Sequence, residues 1–385
     1  MNRVIPLSAA GYSALSCLRV EGPDIRALVK RLFLPGSPQG WENLSAGEPV
    51  FGHWKQHNGE EVVVSILGEN IVEIQCHGGT VSQDLLVDSF LEEGCELLDW
   101  QNWITETAEN SIEAAAIKAL TNARTHRVAM ILIDQLRGAL QDAIEQIVNY
   151  LVQPDLVAAK SGLEALISQS KLGTHLESGW RVALIGSPNA GKSSLINAIL
   201  GFQRSIVLSQ PGTTRDLVTA STAIEGWPVE LVDTAGLRSG GEPLEEMGMQ
   251  LALQQASRSD LVLLVTDASS AWTAEQDRWR SEFENVLVVH NKQDLTSDHT
   301  GERPEGIPTV AISKAGVEHL CAQIVQRTVG DAPVHGLAVP FTHAQVEGIQ
   351  SALALLESGE ITEAKSILLR LLQADRAASR PQANP

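Results

Sequence analysis

The chain has 385 residues, 43% of them hydrophobic and 19% charged, which is typical of a soluble globular protein with two or three domains. Acidic residues outnumber basic ones 47 to 28, and the resulting net charge of −19 does not favour a protein that holds nucleic acid on a basic face. No apolar run reaches the roughly eighteen residues of a membrane span, and the N-terminus lacks the apolar stretch of a signal peptide.

The first hundred residues alternate short apolar runs with helical stretches. The strand-like runs are Ser13–Val20, Glu61–Leu67 and Ile71–Cys76. The helical stretches are Ile25–Phe33 and Val81–Glu93. This pattern predicts a small α+β domain over residues 1–104.

Helical periodicity dominates the next region. The period changes between Ile112 and Leu151, where apolar residues recur every three or four positions from Leu132 to Leu151. This spacing predicts one face of a long helix that Pro154 interrupts. Three further stretches have the same period: Leu156–Leu176, Ala344–Leu356 and Thr362–Leu372. The last two are joined by a predicted turn at Ser358–Glu360. The pattern predicts a discontinuous helical domain, residues 105–178 plus 334–376, followed by a disordered tail, residues 377–385.

Residues 179–333 separate the two helical blocks and alternate strand-like runs with helical stretches. The predicted strands are Val182–Ile185, Val229–Val232, Leu261–Thr266, Val286–Val289 and Thr309–Ile312. This alternation predicts an inserted α/β domain with a mostly parallel sheet and helices on both faces.

The segment Gly186-Ser187-Pro188-Asn189-Ala190-Gly191-Lys192-Ser193 is a complete G-x-x-x-x-G-K-S motif, placed between an apolar run and a helix that continues from Ser194. Backbone N–H groups of such a loop and of the following helix cradle phosphates. Lys192 is expected to neutralise the β- and γ-phosphates, and the hydroxyl of Ser193 to bind Mg²⁺. The motif predicts a nucleoside-triphosphate site that also includes Ala190 and Ser194.

The base is predicted from Asn291-Lys292-Gln293-Asp294, which follows the run Val286–Val289. The carboxylate of Asp294 can accept from N1–H and from the exocyclic amine of guanine, a pair of donors that adenine does not offer. The stem of Lys292 can pack on the base, and Asn291 can brace the neighbouring loops. With the P-loop earlier in the chain, this motif predicts guanine specificity.

Two further motifs lie between these. Asp233-Thr234-Ala235-Gly236 follows a strand-like run, where Asp233 is expected to support Mg²⁺ and the Gly236 N–H to contact the γ-phosphate. Gly212-Thr213-Thr214-Arg215-Asp216 occupies the position of a first switch, where Thr214 can complete the Mg²⁺ shell. The ordered set of motifs predicts a protein that binds and hydrolyses GTP.

The residue after Gly236 is Leu237, where many GTPases place a glutamine that orients the attacking water. A different group must therefore orient the water in this chain. Three carboxylates in the following loop are available for that role: Glu242, Glu245 and Glu246.

The segments Gly212–Asp216 and Asp233–Arg238 resemble the Era/MnmE (TrmE) class of P-loop GTPases, and within it the tRNA-modification GTPases. The resemblance covers most of the chain. Val72–Gly79 is similar to a signature of that family's folate-binding N-terminal domain, and Gln135–Leu140 to a helix of its central domain. His77 is predicted either to touch a ligand or to be a turn histidine bonded to backbone. The family implies a folate, a homodimer formed through the N-terminal domain, a flavoprotein partner and wobble-uridine modification of tRNA.

In that family a P-loop asparagine and a switch loop hold K⁺, which replaces an arginine finger when two G domains pair. The resemblance assigns K⁺ to Asn189 and Thr213, and the alternative for Asn189 is a loop-capping amide. It assigns the water-orienting role to Glu245. Ser313-Lys314-Ala315 approximates the family's base-contacting Ser-Ala-Lys motif, so Ser313 and Lys314 are predicted to lie at the base.

The sequence also departs from that family. The family ends in a short motif with a cysteine, whereas this sequence ends Arg380–Pro385. Asp99–Glu106 stands where the family has a Pro-Gly-Glu-Phe-containing stretch that bears on folate binding. The four cysteines lack metal-ligand spacing and a disulfide pattern, which predicts buried thiols in the cytoplasm: Cys17, Cys76, Cys95 and Cys321.

Three functions beyond GTP hydrolysis follow as alternatives. The first is tRNA wobble-uridine modification with a flavoprotein partner, as the family resemblance implies. The second is a diverged paralogue in which the GTPase cycle is a conformational switch for another partner. The third is a ribosome-associated assembly GTPase like Era, which the lack of a basic RNA-binding module disfavours.

Overall fold

A computed structural model describes residues 1–8, 13–45, 48–55, 59–202, 218–233, 253–296 and 302–373. Within these residues the chain separates into two units, Met1–Ala114 and Ala115–Gln373. The second unit contains both the helices of the predicted helical region and the predicted parallel sheet. The finer domain boundaries, at residues 104, 178 and 333, stay a prediction.

The first unit is built on one sheet, whose strands follow the predicted apolar runs. The strands are β1 (Arg3–Pro6), β2 (Leu15–Glu21), β3 (Phe33–Pro35), β4 (Val50–Trp54), β5 (Glu61–Gly68), β6 (Ile71–His77) and β7 (Glu96–Leu97). Their order is β3-β4-β5-β6-β2-β1-β7, and all pairs are antiparallel except β1 with β7. Buried residues alternate along β2 and β6, so each strand turns one apolar face to the core.

Helices of this unit complete the core. They are α1 (Ile25–Leu32), α2 (Gly40–Ser45), α3 (Thr80–Glu92) and α4 (Trp100–Thr107), and α5 (Ser111–Thr121) contains the residues at which the two units divide. The buried sides of α1 and α3 pack with Leu18 and Ile74 of the sheet. Trp54 is buried there, and its indole N–H donates to Ser89 Oγ at 2.8 Å, which satisfies a buried donor.

The second unit alternates helices and strands. In chain order its elements are α6 (His126–Leu136), α7 (Ala139–Val152), α8 (Leu156–Ser168), α9 (Ser170–Ser178), β8 (Trp180–Ile185), α10 (Lys192–Leu200), β9 (Val218–Ile224), β10 (Trp227–Asp233), β11 (Leu261–Asp267), α11 (Ala274–Glu282), β12 (Val286–Asn291), β13 (Ile307–Pro308), α12 (Val317–Thr328), α13 (His343–Ser358) and α14 (Ile361–Leu372).

The helices α7, α8, α13 and α14 pack in a ring of four, each against the next. Their ends match the sequence signals: Thr342 forms a capping box with Gln345, and Gly359 takes a left-handed conformation between α13 and α14 at φ 86°. The prediction of one long helix up to Leu151 is wrong. Gly138, at φ 105°, separates α6 from α7, because a left-handed residue changes the chain direction although the apolar period continues across it.

The second sheet has the order β13-β12-β11-β8-β10-β9. Its strands are parallel except β9, which pairs antiparallel with β10, so the mostly parallel sheet is confirmed. The predicted strand Thr309–Ile312 is wrong. The strand lies earlier, at Ile307–Pro308, and Val310 instead forms an isolated bridge with Ala315 that closes a turn. The apolar residues of Thr309–Ile312 therefore belong to a turn beside the sheet and not to a strand.

Within the second unit, the segment between α12 and α13 packs closely against α6 and α9. The Gln135 side chain is 1% exposed, and its amide donates to the Leu337 carbonyl at 3.0 Å while its oxygen accepts from Val339 N at 3.0 Å. Gly173 packs so closely against Pro340 that an added Cβ would lie 1.8 Å from its carbonyl oxygen. Across the described part of the chain, each helix is too short or too polar to cross a bilayer.

Candidate nucleotide site

The P-loop connects the buried end of β8 to α10 and depends on two glycines. Gly186 has φ 141°, and an added Cβ there would lie 2.0 Å from the Val265 carbonyl oxygen of the neighbouring strand. Gly191 has φ 92°, and its added Cβ would lie 2.2 Å from Asn291 Nδ2. Both positions therefore need glycine, for backbone conformation and for space. The loop is drawn tightly against the carboxyl ends of β11 and β12.

Lys192 opens α10 and is buried, with its ammonium directed back into the loop. Its Nζ donates to the carbonyl oxygens of Gly186 at 2.8 Å and Ser187 at 2.9 Å. The exposed Ser193 and Ser194 follow in the first turn, where backbone N–H groups lack intrahelical partners. A cation and a helix N-terminus thus meet at one loop, which is an arrangement that binds phosphate.

Asn189 lies exposed at the tip of this loop with a left-handed backbone at φ 61°. The next residue, Ala190, is buried, and its carbonyl oxygen accepts from the carboxamide of Asn291. An asparagine is one of the few non-glycine residues that adopt this conformation at modest cost. Its side chain is therefore presented to solvent at the mouth of the predicted phosphate site.

Ser193 and Asp233 meet across the site. The Ser193 hydroxyl donates to Oδ2 of Asp233 at 2.6 Å, and Asp233 is 6% exposed at the carboxyl end of β10. Two hard oxygen donors beside a phosphate loop are the ligand type that Mg²⁺ prefers, so the residues present fit this ion. The structure brings together these two predicted Mg²⁺ residues.

Asn291 joins the phosphate loop to the base region. It is 1% exposed at the end of β12, and its Nδ2 donates to the Ala190 carbonyl at 2.9 Å. Its Oδ1 accepts from Ala311 N at 3.1 Å and from Thr309 Oγ1 at 3.4 Å. The geometry agrees with the predicted bracing of neighbouring loops, since one carboxamide links three segments that are distant in sequence.

Lys292 follows with a left-handed backbone at φ 62°, and its Nζ lies 2.7 Å from Oδ2 of Asp267. Burial raises the pKa of Asp267, but hydrogen bonds from Lys292 and Ser269 outweigh it, so the pKa lies below its usual value. Asp294 is exposed on a short 3₁₀ helix, Gln293–Leu295. Its carboxylate is accessible, as a base-reading residue requires.

Sequence reasoning missed Asp267. A signal was available, since Asp267 directly follows the predicted strand Leu261–Thr266, and parallel strands bring their carboxyl ends to one edge of a sheet. The register pairs Asp267 directly with Asn291 of β12. A carboxylate one strand away from an N-K-x-D motif is therefore a neighbour of that motif.

The predicted base-contacting residues Ser313 and Lys314 are exposed in the turn after β13. Lys314 has φ 62°, and its Nζ donates to the carbonyl oxygen of Gly201 at the end of α10. Asn291 instead bonds to Thr309 and Ala311, earlier in the same turn. A base contact by Ser313 or Lys314 stays a prediction.

Four of the predicted functional residues lie outside the described residues, and their roles stay predictions: Thr213, Thr214, Gly236 and Glu245. Leu237 and the two alternative carboxylates, Glu242 and Glu246, lie outside them as well. Apart from Ser313 and Lys314, the other predicted site residues converge at one edge of the second sheet. They comprise a phosphate loop, two oxygen donors and a base motif: Gly186, Asn189, Ala190, Gly191, Lys192, Ser193, Ser194, Asp233, Asn291, Lys292 and Asp294.

The folate signature lies in the other unit, at the end of β6. An added Cβ on Gly78 would lie 1.8 Å from the Ser13 carbonyl oxygen, which gives this glycine a packing role. His77 Nδ1 lies 2.8 Å from Oε1 of Glu60, so the ring bonds to a carboxylate and not to the backbone, and its contact with a ligand stays a prediction. Folate binding stays a prediction.

The chain is similar to known GTPases, in agreement with the nucleotide site described above. A family model described as 50S ribosome-binding GTPase matches residues 181–292. The tRNA modification GTPase MnmE of Desulfitobacterium hafniense (strain Y51) is 30% identical over 404 residues, covering 91% of this chain and 88% of the relative. The protein of the same name from Prochlorococcus marinus is 27% identical over 402 residues, covering 93% of this chain and 87% of the relative.

Among solved structures, the G domain of the T. maritima FeoB iron transporter is 24% identical with a TM-score of 0.29, and the alignment covers 38% of this chain and 98% of that domain. The chain is a GTP-hydrolysing enzyme. This conclusion follows from the match to the GTPase family model and from the GTPase relatives that match about nine tenths of the chain. At 30% identity over most of both sequences, the chain belongs to the family of the tRNA modification GTPase MnmE.

Proposed function

We propose that the chain binds GTP with Mg²⁺ between the P-loop and the N-K-x-D motif and hydrolyses it in a K⁺-stimulated reaction. The observation that carries this proposal is the buried carboxamide of Asn291, which joins Ala190 of the phosphate loop to Ala311 beyond the base motif. One side chain fixes the spacing of a phosphate-binding and a base-binding element. A ligand that reaches both carries phosphates at one end and a base at the other.

At the phosphate end, Lys192 exchanges its two carbonyl partners for phosphate oxygens, and the N–H groups at the start of α10 take others. Ser193 and Asp233 are the described candidates for holding Mg²⁺, with Thr214 as the proposed switch ligand. Bound there, Mg²⁺ would offset the negative charge of the β- and γ-phosphates. Hydrolysis is an in-line attack of water on the γ-phosphate, with the water positioned by Glu245.

The exposed amide of Asn189 is our candidate for K⁺, with Thr213 as its second contributor. Its left-handed backbone presents the side chain at the loop tip, where a paired G domain has access to it. Pairing and homodimerisation through the first unit belong to this proposal. The expected consequence is GTP turnover that rises with both K⁺ and protein concentration.

The test is GTP turnover by the purified chain in KCl against NaCl at equal ionic strength, over a range of protein concentrations. The matched variants are Asn189→Ala and, as a control for an amide outside the proposed site, Gln141→Ala on α7. Stimulation by KCl that is lost in Asn189→Ala and kept in Gln141→Ala would support the proposal. Equal turnover in both salts for the unchanged chain would remove the K⁺ role.

In the cell, the GTPase is proposed to serve wobble-uridine modification of tRNA with a flavoprotein partner, as the names of its relatives suggest. The net charge of −19 favours a second candidate, a paralogue that uses the GTPase cycle as a switch for another partner. Analysis of tRNA nucleosides from a deletion strain separates the two. An unchanged wobble-uridine profile would exclude the first candidate and leave the second.

A further inference from the structure

We propose that Asp267 is a positioning residue for guanine, which acts by holding the side chain of Lys292 in place beside the base. The inference rests on the proposed nucleotide site and deepens it. Asp267 lies outside the N-K-x-D motif, at the carboxyl end of the adjacent strand β11. Its effect on nucleotide binding is therefore indirect and is exerted through the lysine.

Each oxygen of the Asp267 carboxylate has its own partner. Oδ1 accepts from Ser269 N at 2.9 Å and from Ser269 Oγ at 2.6 Å, within the turn that follows β11. Oδ2 accepts from Lys292 Nζ at 2.7 Å. The turn fixes the orientation of the carboxylate, and the carboxylate fixes the ammonium.

Lys292 is held at both ends. Its backbone has φ 62°, a conformation that costs energy for a lysine and persists because neighbouring contacts impose it. One such contact is Ala268 N, which donates to the carbonyl oxygen of Asn291 at 2.7 Å. The methylene stem therefore runs between two fixed points, from the end of β12 to the end of β11, and has lost its rotamer freedom before a base arrives.

The ion pair between Lys292 and Asp267 is partly shielded from solvent. The side chains of Lys292 and Asp267 are 31% and 23% exposed, so water and salt screen their attraction less than that of a surface pair. With its oxygens engaged by Ser269 and Lys292, Asp267 is not a reader of the base edge. That role stays with Asp294, which is exposed on the adjacent 3₁₀ helix.

The test is Asp267→Asn in the full chain, a change that keeps the shape and removes the charge. Binding of GDP and GTP is expected to weaken by about tenfold, and by the same factor for both, because the lysine stem contacts the nucleoside and not the γ-phosphate. The KM for GTP is expected to rise correspondingly while kcat stays the same. Asp277→Asn, which removes an exposed partner of Arg280 on α11, is the matched control.

A double-mutant cycle with Lys292→Ala separates positioning from general destabilisation. If Asp267 acts through the lysine, Asp267→Asn adds nothing to the loss of affinity caused by Lys292→Ala. Additive losses, unchanged affinity or tighter binding in Asp267→Asn would each overturn the inference. If the unchanged chain fails to bind guanine nucleotides, the proposed function itself fails, which is a distinguishable result.

Discussion

Nε2 of His175 lies 2.9 Å from Oδ1 of Asp260, while Nδ1 of the same ring lies 2.6 Å from the carbonyl oxygen of Lys171. Both neighbours accept hydrogen bonds, so the doubly protonated imidazolium is the form that satisfies both contacts. The ring also stacks on Trp180, with centroids 4.0 Å apart and planes 4° from parallel. Asp260 Oδ2 accepts from Arg181 N at 2.7 Å, so a cationic ring ties α9 to the start of the parallel sheet.

The contact between His175 and Asp260 predicts that the stability of the fold depends on pH. Burial disfavours the charged ring, but its hydrogen bonds to Asp260 and to the Lys171 carbonyl outweigh burial and raise the pKa of His175, although the Lys171 ammonium opposes this. The contribution of the protonated His175 ring to the free energy of unfolding is complete below about pH 6.5, which is the pKa of histidine in the unfolded chain. It is lost as the pH rises through the higher pKa of His175 in the folded protein. His175→Gln is expected to destabilise the chain by about 1–2 kcal/mol at pH 6 and by less at pH 9.

Urea denaturation of both proteins at the two pH values measures this difference. His319→Gln, which changes an exposed histidine on α12, serves as the control. A destabilisation by His175→Gln that is equal at pH 6 and pH 9 would show that the ring acts by shape alone.

Elements encoded by consecutive residues could be predicted from the sequence, whereas contacts between distant residues could not. The P-loop and the strands β8, β10, β11 and β12 were predictable, because each is encoded by consecutive residues. The break at Gly138 was not, since the apolar period continues across it and one left-handed residue decides the chain direction. The pairs His175–Asp260 and Asp267–Lys292 join residues 85 and 25 positions apart, and the tertiary packing of helices and strands brings them together.

A second prediction concerns the carboxamide of Asn291. In Asn291→Asp the donor to the Ala190 carbonyl is replaced by a carboxylate oxygen, which places two acceptors 2.9 Å apart in a buried site. The cost is expected to be about 2 kcal/mol or more, and guanine-nucleotide affinity is expected to fall at least about a hundredfold. Fluorescence titration with a labelled GDP measures the affinity, and thermal unfolding measures the stability. Affinity kept near the original value would contradict the bracing role.

A third prediction separates water positioning from nucleotide binding. Glu245→Ala is expected to leave GTP affinity within about twofold and to slow turnover by about a hundredfold, because the group acts on the attacking water and not on the bound nucleotide. Single-turnover hydrolysis at saturating protein measures the rate. Glu242→Ala is the matched variant in the same segment. Slow turnover in Glu242→Ala with normal turnover in Glu245→Ala would transfer the role to Glu242.

The last prediction tests the 2.6 Å contact between Ser193 Oγ and Asp233 Oδ2. If these oxygens serve Mg²⁺, nucleotide affinity depends on the ion in the original chain, and Asp233→Asn removes most of that dependence by removing the charge. We expect GTP binding with Mg²⁺ to weaken by about tenfold or more in the variant, and GDP binding in EDTA to change by less than about twofold. Titrations with and without Mg²⁺ measure both quantities. An equal loss under the two conditions would show that Asp233 supports the loop through its bond to Ser193 and does not act through the metal.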